Sequence, residues 1–501
     1  MIQPYEEPYI GAMVIDGRQV RSHQRQEIFD PASPDELVGT MSVASLSDVE
    51  EAVHAAHRAF PGWYATPWKE RLRLLDEARN ALLDDAERYA RLLVRENGKV
   101  WPEAMAECTV QLQDLERLAD AMQRLHDEAE SFAGDLPGFV HPRPLGVVAA
   151  ISPWNFPVTL TMTKVFPALL AGNTLVIKPS SYTPLTISAQ ILSLAKYLPP
   201  GVINLVAGPG GIVGDYLIQH PLVRKVAFTG STEVGRRVME QAAKNITKVT
   251  MELGGNDPAI LLPDFDMSDG PMRRLLWGCF RNSGQVCYNI KRIYVPTVLH
   301  DPFLQRLKKI ADEELRIGHG LNPDSTVGPL CNQKQKALVE ELIADAMDSG
   351  AKLHRVGRIL DPQLFSRGNF VQPALVTQIR QDSRLVQEEQ FGPVIPVLSY
   401  SRLEEAIAWA NESPYGLGAS VWGSDRSSIR RFVHEIDAGT VFVNRIQLDR
   451  RLPFGGMKAS GFGCEFGVDG LKQYLQMQAV NGIGKMDGQH KPASDNLPPI
   501  A

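Results

Sequence analysis

Mainly apolar runs, separated by segments of helical length, characterise the chain between residues 146 and 260. The runs are Val147–Ile151, Thr174–Ile177, Val202–Val206 and Lys225–Phe228. Strands buried on both faces of a parallel sheet give such continuous runs, whereas a strand with one solvated face alternates. Because parallel neighbours need a crossover of a dozen or more residues, the spacing predicts an α/β fold with a doubly wound parallel sheet.

Helical patterns precede this sheet. Ser47–Glu50 has the pattern of a capping box, ahead of an Ala-rich amphipathic run to about Phe60. A further helical periodicity extends from Lys69 to about Asn97, where Gly98 can end the helix in a left-handed cap. We expect these helices to cover the first sheet.

A second alternating series of helices and strands begins near Phe265 and extends to Val443. Its first members are predicted as a helix to about Arg281, a strand at Arg292–Val295, and long helices at 302–315 and 334–348. This series predicts a second α/β unit.

Length and charge limit the class of protein. A chain of 501 residues is more than one hydrophobic core holds, so two or three structural units are expected. A net charge of −6 without a basic run argues against nucleic-acid binding, because phosphate contacts need clustered Lys and Arg. We find no membrane span in the sequence, and residues 1–9 lack the basic and apolar regions of a signal peptide. We therefore expect a cytoplasmic protein that does not bind a membrane.

The cysteines are scattered. They are Cys108, Cys279, Cys287, Cys331 and Cys464, an odd number without a C-x-x-C pair or a neighbouring histidine cluster. This pattern favours neither a disulfide framework nor structural zinc, so no metal site is predicted.

Two of the chemically interesting residues, Glu252 and Cys287, stand 287 − 252 = 35 positions apart. Each lies in a glycine-bearing motif, Met251–Gly255 and Asn282–Cys287. A lone cysteine is more often a packing residue than a nucleophile. Together, however, a thiol and a carboxylate can take an acyl group onto sulfur and hydrolyse it off again.

Three further motifs complete a set. They are Ser152–Pro157, which places Asn155 between two prolines, Phe228–Gly235, and Glu388–Val394. In this order the five motifs resemble those of the NAD(P)-dependent aldehyde dehydrogenase superfamily, from about Phe29 to about Tyr474. The resemblance implies two doubly wound domains, one Rossmann-like for the cofactor and one bearing the thiol, with a small β arm for oligomerisation.

The resemblance also implies catalytic roles. Cys287 would attack an aldehyde, and Asn155 with the backbone N–H of Cys287 would stabilise the resulting oxyanion. Glu252 would activate the water that cleaves the thioester, which favours a free carboxylic acid as product over transfer to CoA. Without the other motifs, Asn155 is explained equally well as a turn residue between prolines. Glu252 can likewise be a surface residue at the end of a strand.

A larger group of residues is implied in NAD or NADP binding. The group comprises Ile151, Trp154, Lys178, Ser181, Gly230, Ser231, Gly235, Leu253, Glu389 and Phe391. Gly230–Gly235 follows a strand and opens a helix, which suits a pyrophosphate. Many NAD-preferring relatives carry Glu where this chain has Ser181, and Ser removes the repulsion of a 2′-phosphate. We therefore expect NADP to be accepted at least as well as NAD.

The identity of the aldehyde is less determined. The loop Arg445–Arg451 contains three arginines and is expected near the substrate entrance, so it favours an acidic substrate such as a semialdehyde. A solvated or intersubunit charge cluster explains the same loop. Tyr288 and Phe280 would suit an apolar or aryl aldehyde instead, and Glu465 is a candidate proton relay beside the unusual Cys464.

The predicted organisation is therefore as follows. The cofactor domain comprises 1–125 and 146–253, the catalytic domain 254–451, the oligomerisation arm 126–145 and 470–484, and a flexible tail 485–501. In the family such an arm crosses to a partner, which predicts a homodimer or homotetramer. Two other classes stay open at this point: a catalytically quiet binding or structural protein on the same fold, and a cofactor-independent thiol esterase.

Overall fold

Two large sheets with helices packed against them form the framework of the protein. The computed structural model describes residues 8–110, 114–127, 131–132 and 137–481. In chain order the first elements are β1 (Tyr9–Gly11), β2 (Met13–Ile15), β3 (Arg18–Val20), β4 (Arg25–Asp30), β5 (Ser33–Ser42), α1 (Leu46–Ala65), α2 (Trp68–Asp84), α3 (Ala86–Asn97), α4 (Trp101–Thr109), α5 (Asp114–Asp127), β6 (Ser131–Phe132) and β7 (Gly138–Pro144).

The next elements build most of the first large sheet. They are β8 (Val147–Ile151), α6 (Pro157–Leu170), β9 (Thr174–Lys178), α7 (Leu185–Leu194), β10 (Ile203–Leu205), α8 (Asp215–Gln219), β11 (Val223–Thr229), α9 (Thr232–Ala243) and β12 (Lys248–Glu252).

The second large sheet and its helices follow. They are β13 (Pro258–Leu261), α10 (Asp269–Phe280), β14 (Arg292–Pro296), α11 (His300–Glu314), β15 (Arg316–Ile317), α12 (Gln333–Asp348), β16 (Lys352–Arg355), β17 (Arg358–Ile359), α13 (Pro362–Arg367), β18 (Ala374–Thr377), α14 (Arg384–Gln387), β19 (Val394–Tyr400), α15 (Leu403–Asn411), β20 (Tyr415–Gly416), β21 (Gly418–Trp422), α16 (Arg426–Glu435) and β22 (Thr440–Val443). The chain ends with β23 (Met457–Lys458), β24 (Gly461–Phe462), α17 (Gly467–Lys472) and β25 (Leu475–Asn481).

The first sheet has the order β24-β12-β11-β8-β9-β10-β2-β3, and its strands from β12 to β10 are parallel. Val148 and Ala150 of β8 join the core formed with α6 and α7, whereas Val147 and Ala149 join the core formed with α1, α8 and α9. Both faces are thus covered, and the predicted doubly wound sheet is confirmed.

The N-terminal helices differ from the prediction in their bounds. α1 extends to Ala65, and the stretch from Lys69 to Asn97 is divided into α2 and α3 at Asp85. The capping box forms at Ser45, whose Oγ accepts from the Asp48 N–H at 3.1 Å while Asp48 Oδ2 accepts from the Ser45 N–H at 2.7 Å. The prediction that the capping box begins at Ser47 was wrong. The Ala44 N–H donates to Ala207 O at 2.7 Å, and this hydrogen bond fixes the chain beside the sheet directly before Ser45. Gly98 ends α3 at φ 90°, as predicted.

The second sheet has the order β16-β18-β19-β14-β13-β21-β22, and β16 is its antiparallel edge. Its strands lie between residues 258 and 443 and are separated by helices, so a second α/β unit is present, as predicted. After this sheet the chain returns to the first one, because β24 pairs with the edge strand β12 through Met251↔Phe462 and Glu252↔Gly461. The sequence prediction had left residues 452–469 unassigned.

The two segments set apart in the sequence pair with each other. β7 and β25 run antiparallel from Gly138↔Asn481 to Pro144↔Leu475, and β6 completes this three-stranded sheet. Residues 482–501, which include the predicted tail 485–501, lie outside the described residues. Within the described ranges, none of the helices combines the length and apolar character needed to span a membrane.

Candidate active site

The carboxyl ends of neighbouring parallel strands bring several predicted residues together. Ile151 is in register with Lys178 on one side and with Phe228 on the other, and Thr229 is in register with Glu252. The chain passes from β8 to β9 in one direction and later returns to β11 on the opposite side of β8. This reversal of direction is a topological switch point, and dinucleotides bind in the crevice outside such a point. The topology of this sheet therefore suits the binding of a dinucleotide.

The glycine-bearing loop after β11 leads directly into α9. Ser231 caps the helix and accepts from the Val234 N–H at 3.3 Å, and the Gly230 N–H donates to Glu252 O at 3.1 Å. A Cβ on Gly235 would lie 2.5 Å from Cδ2 of Leu253, so this helix can approach its strand only with glycine there. The first N–H groups of a helix lack intrahelical acceptors and carry partial positive charge, which suits a pyrophosphate.

Lys178 and Ser181 lie at the end of β9. Nζ of Lys178 donates to Pro179 O at 3.1 Å, and burial lowers the pKa of this lysine to about 8. The Ser181 hydroxyl is half-buried and donates to Gly208 O at 3.1 Å. A hydroxyl rather than a carboxylate therefore occupies this part of the crevice.

Trp154 contacts Phe391, and Lys291 lies close to both Phe391 and Glu389. The Trp154 and Phe391 rings are perpendicular, with centroids 5.4 Å apart. Glu389 Oε1 accepts from the Gly255 N–H at 3.0 Å and lies 3.6 Å from Nζ of Lys291, while a Cβ on Gly254 would collide with Glu389 Oε2. Glu389 thus packs directly on the glycine pair that follows Glu252.

Cys287 lies in a loop between α10 and β14. Its thiol is half-buried, and burial raises the pKa of this thiol to about 12, whereas the charge of Lys291 lowers the pKa. Nζ of Lys291 donates to Cys287 O at 2.6 Å. Among the described residues, none accepts a hydrogen bond from the Cys287 N–H.

Asn155 is brought next to this loop. Its side chain is 4% exposed, and Nδ2 donates to Gln285 O at 3.0 Å. An amide nitrogen carries two hydrogens. One hydrogen is therefore available in addition to the backbone N–H of Cys287.

Glu252 is buried, and neither of its carboxylate oxygens has a described hydrogen-bond partner. Burial raises its pKa well above the usual value, the charge of Glu465 adds to this shift, and Lys164 opposes it. Nζ of Lys164 donates to Glu465 Oε1 and to Thr229 Oγ1, both at 2.6 Å. Sequence reasoning missed Lys164; a lysine on the apolar helix that follows Asn155 was the available signal.

A cavity of about 370 Å³ opens onto the thiol. It is lined, among others, by Asn155, Phe156, Trp277, Arg281, Cys287, Tyr288, Arg450, Phe454 and Glu465. Tyr288 and Cys287 line the same cavity, whereas Phe280 lines a neighbouring cavity, because the chain turns at the end of α10.

Arg281 is a second residue that sequence reasoning missed. Its guanidinium lies 4.5 Å from the Trp277 ring centroid and 5.6 Å from that of Phe156, and Nη2 donates to the Tyr288 hydroxyl at 2.8 Å. Its Nε is buried without a partner among the described residues. The available signal was a cation six positions before Cys287 at the end of a helix.

The arginines of the loop Arg445–Arg451 have different surroundings. Arg450 lines the thiol cavity and lies 5.4 Å from the Phe466 ring centroid. Arg451 pairs with Asp449 at 2.6 Å with 77% of its side chain exposed, and Arg445 lines the neighbouring cavity. Of these three arginines, only Arg450 lines the thiol cavity, and the acidic-substrate interpretation of the loop stays a prediction.

One group of possible metal ligands lies elsewhere. Glu50, His54 and His220 have ligand atoms within 4.8 Å of one another. The Leu222 N–H donates to Nδ1 of His220 at 3.2 Å, so Nε2 carries the proton that faces Glu50. Hydrogen bonds account for this group, and the absence of a metal site stays a prediction.

Comparisons with known proteins agree with this geometry. Residues 19–480 match the model of the aldehyde dehydrogenase family. The chain is 38% identical to the NADP(+) succinate-semialdehyde dehydrogenase of Escherichia coli K12, with 90% of this chain and 93% of that protein covered. It is 36% identical to the glutarate-semialdehyde dehydrogenase of Pseudomonas putida KT2440, with 91% and 94% covered.

A solved structure agrees equally well. Betaine aldehyde dehydrogenase from Staphylococcus aureus, in complex with NAD+, superimposes with a TM-score of 0.88 at 31% identity, with 97% of each chain covered. Since these relatives are named dehydrogenases, a catalytically quiet protein on this fold is not favoured. The chain belongs to the aldehyde dehydrogenase family, and it is an NAD(P)-dependent oxidoreductase that converts an aldehyde to a carboxylic acid.

Proposed function

We propose that Cys287 is the nucleophile of this oxidation and Glu252 its hydrolytic base. The Cys287 thiol first releases its proton to water, its sulfur then bonds to the aldehyde carbon, and the carbonyl oxygen becomes an alkoxide between Nδ2 of Asn155 and the Cys287 N–H. When bound, the nicotinamide supplies an acceptor for the hydride that leaves the substrate carbon. The carbon then stays on sulfur as a thioester.

Hydrolysis completes the cycle. Glu252 removes a proton from water, the water oxygen adds to the thioester carbon, and the carbon–sulfur bond breaks to release the acid and the Cys287 thiolate. The two carboxylate oxygens of Glu252, which have no hydrogen-bond partner among the described residues, can accept that proton. The proton can move on towards Glu465 and Lys164, whose ion pair lies at 2.6 Å.

The observation that carries this proposal is the shared cavity. Both Cys287 and Asn155 line it, and Glu465, whose charge acts on Glu252, lines it as well. An absorbance assay for NADH and NADPH with a panel of aldehydes tests it. Ester hydrolysis without cofactor reduction would instead identify a cofactor-independent thiol esterase.

We propose that Lys178 and Ser181 bind the adenine ribose and that NADP is accepted at least as well as NAD. Replacement of Ser181 by Glu should lower kcat/KM for NADP at least about tenfold more than for NAD, because a carboxylate would face the 2′-phosphate. Ser181→Gln has the same size without the charge and is the matched control. Equal losses for both cofactors would remove Ser181 from the ribose site.

For the substrate we propose a short aldehyde with an anionic group at its far end. Arg281 is the supporting residue, since it is a cation in the wall of the thiol cavity whose Nε lacks a described partner. The similarity to two semialdehyde dehydrogenases supports the same class.

Arg281→Gln should raise KM for a carboxylate-terminated aldehyde about 10- to 100-fold, the value of one charged hydrogen bond. An uncharged aldehyde of equal length should change little. Arg445→Gln is the matched control, because Arg445 is exposed beside the neighbouring cavity. Steady-state kinetics with both aldehydes measure the difference, and parallel changes for both would contradict the acidic substrate.

The oligomeric state and the location are also proposals. β25 is an edge strand, and most of its residues between Gln476 and Ala479 are exposed on both faces. An edge of this kind is ready to pair or pack with another chain. We propose a homodimer or homotetramer built through β7 and β25 in the cytoplasm, and light scattering of the purified protein tests the assembly.

A further inference from the structure

We propose that Glu103 is a positioning residue, which holds the loop before Cys287 in a left-handed conformation so that the thiol and Asn155 act on the same carbonyl. This inference rests on the proposed nucleophilic role of Cys287. Glu103 belongs to none of the motifs that characterise the sequence.

The loop is conformationally unfavourable by itself. Asn282, Ser283 and Gly284 follow one another with φ of 49°, 56° and 77°. Glycine tolerates this region, but for Asn and Ser it costs free energy, and such strain persists only where surrounding contacts enforce it. The three residues end two positions before Val286, so their conformation determines where Cys287 stands.

Glu103 supplies a contact at the first of these residues. Its Oε1 accepts from the Asn282 N–H at 2.8 Å. The acceptor lies on the first turn of α4, and the side chain lines both the thiol cavity and its neighbour. Asn282 Nδ2 in turn donates to Asn155 O at 3.0 Å, so the strained loop contacts the segment that carries the oxyanion donor.

The same face of α4 also holds the Asn155 segment. Glu107 is one turn after Glu103, and its Oε1 accepts from the N–H groups of Val158 and Thr159 at 2.8 and 3.0 Å. Lys99 pairs with Glu107 and donates to Asn155 O at 3.0 Å. One helix therefore anchors both parts of the reaction centre, with Glu107 on the oxyanion side and Glu103 on the thiol side.

The experiment compares Glu103→Ala with Glu103→Gln. The glutamine retains an oxygen acceptor for the Asn282 N–H, and the alanine removes it. We expect Glu103→Ala to lower kcat about 10- to 100-fold with KM changed less than about threefold, because an ångström of misplacement has effects of this size. Glu103→Gln should retain most of the activity, and Glu103→Asp, with a shorter reach, should lie between the two.

Controls separate positioning from other roles. Glu314→Ala removes a different carboxylate from the neighbouring cavity and should leave kcat unchanged. If Glu103→Ala does not fold, judged by its thermal unfolding midpoint, the Asp and Gln variants still rank the effect. Equal losses in Ala and Gln, or none in Ala and Asp, would overturn the proposal.

A further measurement distinguishes this inference from the proposed function. Alkylation of Cys287 by iodoacetamide, followed by mass spectrometry, should abolish activity of the unmodified chain. If it does not, the role of Cys287 fails. If it does, and Glu103→Ala behaves as the unmodified chain, only the role of Glu103 fails.

Discussion

Cys287→Ala should abolish aldehyde oxidation, with a loss of at least about 10⁴-fold in kcat, because no thioester can form without the sulfur. Cofactor binding should persist, since Ile151 and Lys178 lie on the first sheet, Ser231 caps the helix that follows β11, and none of them depends on the thiol. Fluorescence titration with NADPH and the absorbance assay with an aldehyde measure the two properties separately.

Cys464→Ala is the matched control for this result. Cys464 is the other half-buried cysteine, whereas Cys108, Cys279 and Cys331 are buried. Its replacement should leave the oxidation rate close to that of the unmodified chain. Full activity of Cys287→Ala, or inactivity of Cys464→Ala, would contradict the assignment of Cys287 as the nucleophile.

Glu252→Gln should form the acyl-enzyme and then stall. Reduced cofactor should appear in a burst of about one equivalent per active site, followed by a steady rate about 10²- to 10⁴-fold below normal, as expected when a general base is lost. Rapid-mixing absorbance measures both phases. Added hydroxylamine should restore turnover, because it attacks the thioester without the base.

The pH dependence of the hydrolytic phase adds a second test. Burial raises the pKa of Glu252, and only the ionised form accepts a proton, so hydrolysis should accelerate as pH rises through this raised pKa. In Glu252→Gln this pH dependence should disappear. Normal turnover by Glu252→Gln, or the absence of a burst of reduced cofactor from this variant, would contradict the division of roles between Glu252 and Cys287.

Several elements were predictable from local pattern because they depend on neighbours in sequence. Val147–Ile151 is a strand, as its uninterrupted apolar run predicted, since a strand between two helical layers has no solvated face. Gly98 ends α3 because a left-handed cap favours glycine. The capping box begins at Ser45, two residues before the predicted Ser47. The two serines have similar sequence patterns, and the long-range hydrogen bond from Ala44 to Ala207 favours the earlier one.

The candidate site divides in the same way. Cys287, Glu252 and Asn155 could be singled out because each lies in a recognisable motif. Arg281 and Glu103 carry only weak signals in the sequence, because a cation at a helix end and an acid on an amphipathic helix are usually solvated. Their place in the wall of the cavity depends on how α10 and α4 pack, and no local pattern records that.

The sequence alone thus determined the α/β class and where the main strands lie along the chain, because periodicity and glycine requirements are local properties, and the resemblance of its motifs indicated the family. The tertiary structure alone decided that β7 pairs with β25, that Lys164 reaches Glu465, and that Arg450 is the arginine of 445–451 that lines the thiol cavity. Contacts between residues hundreds of positions apart depend on the packing of whole elements, where side-chain direction and burial select the partners.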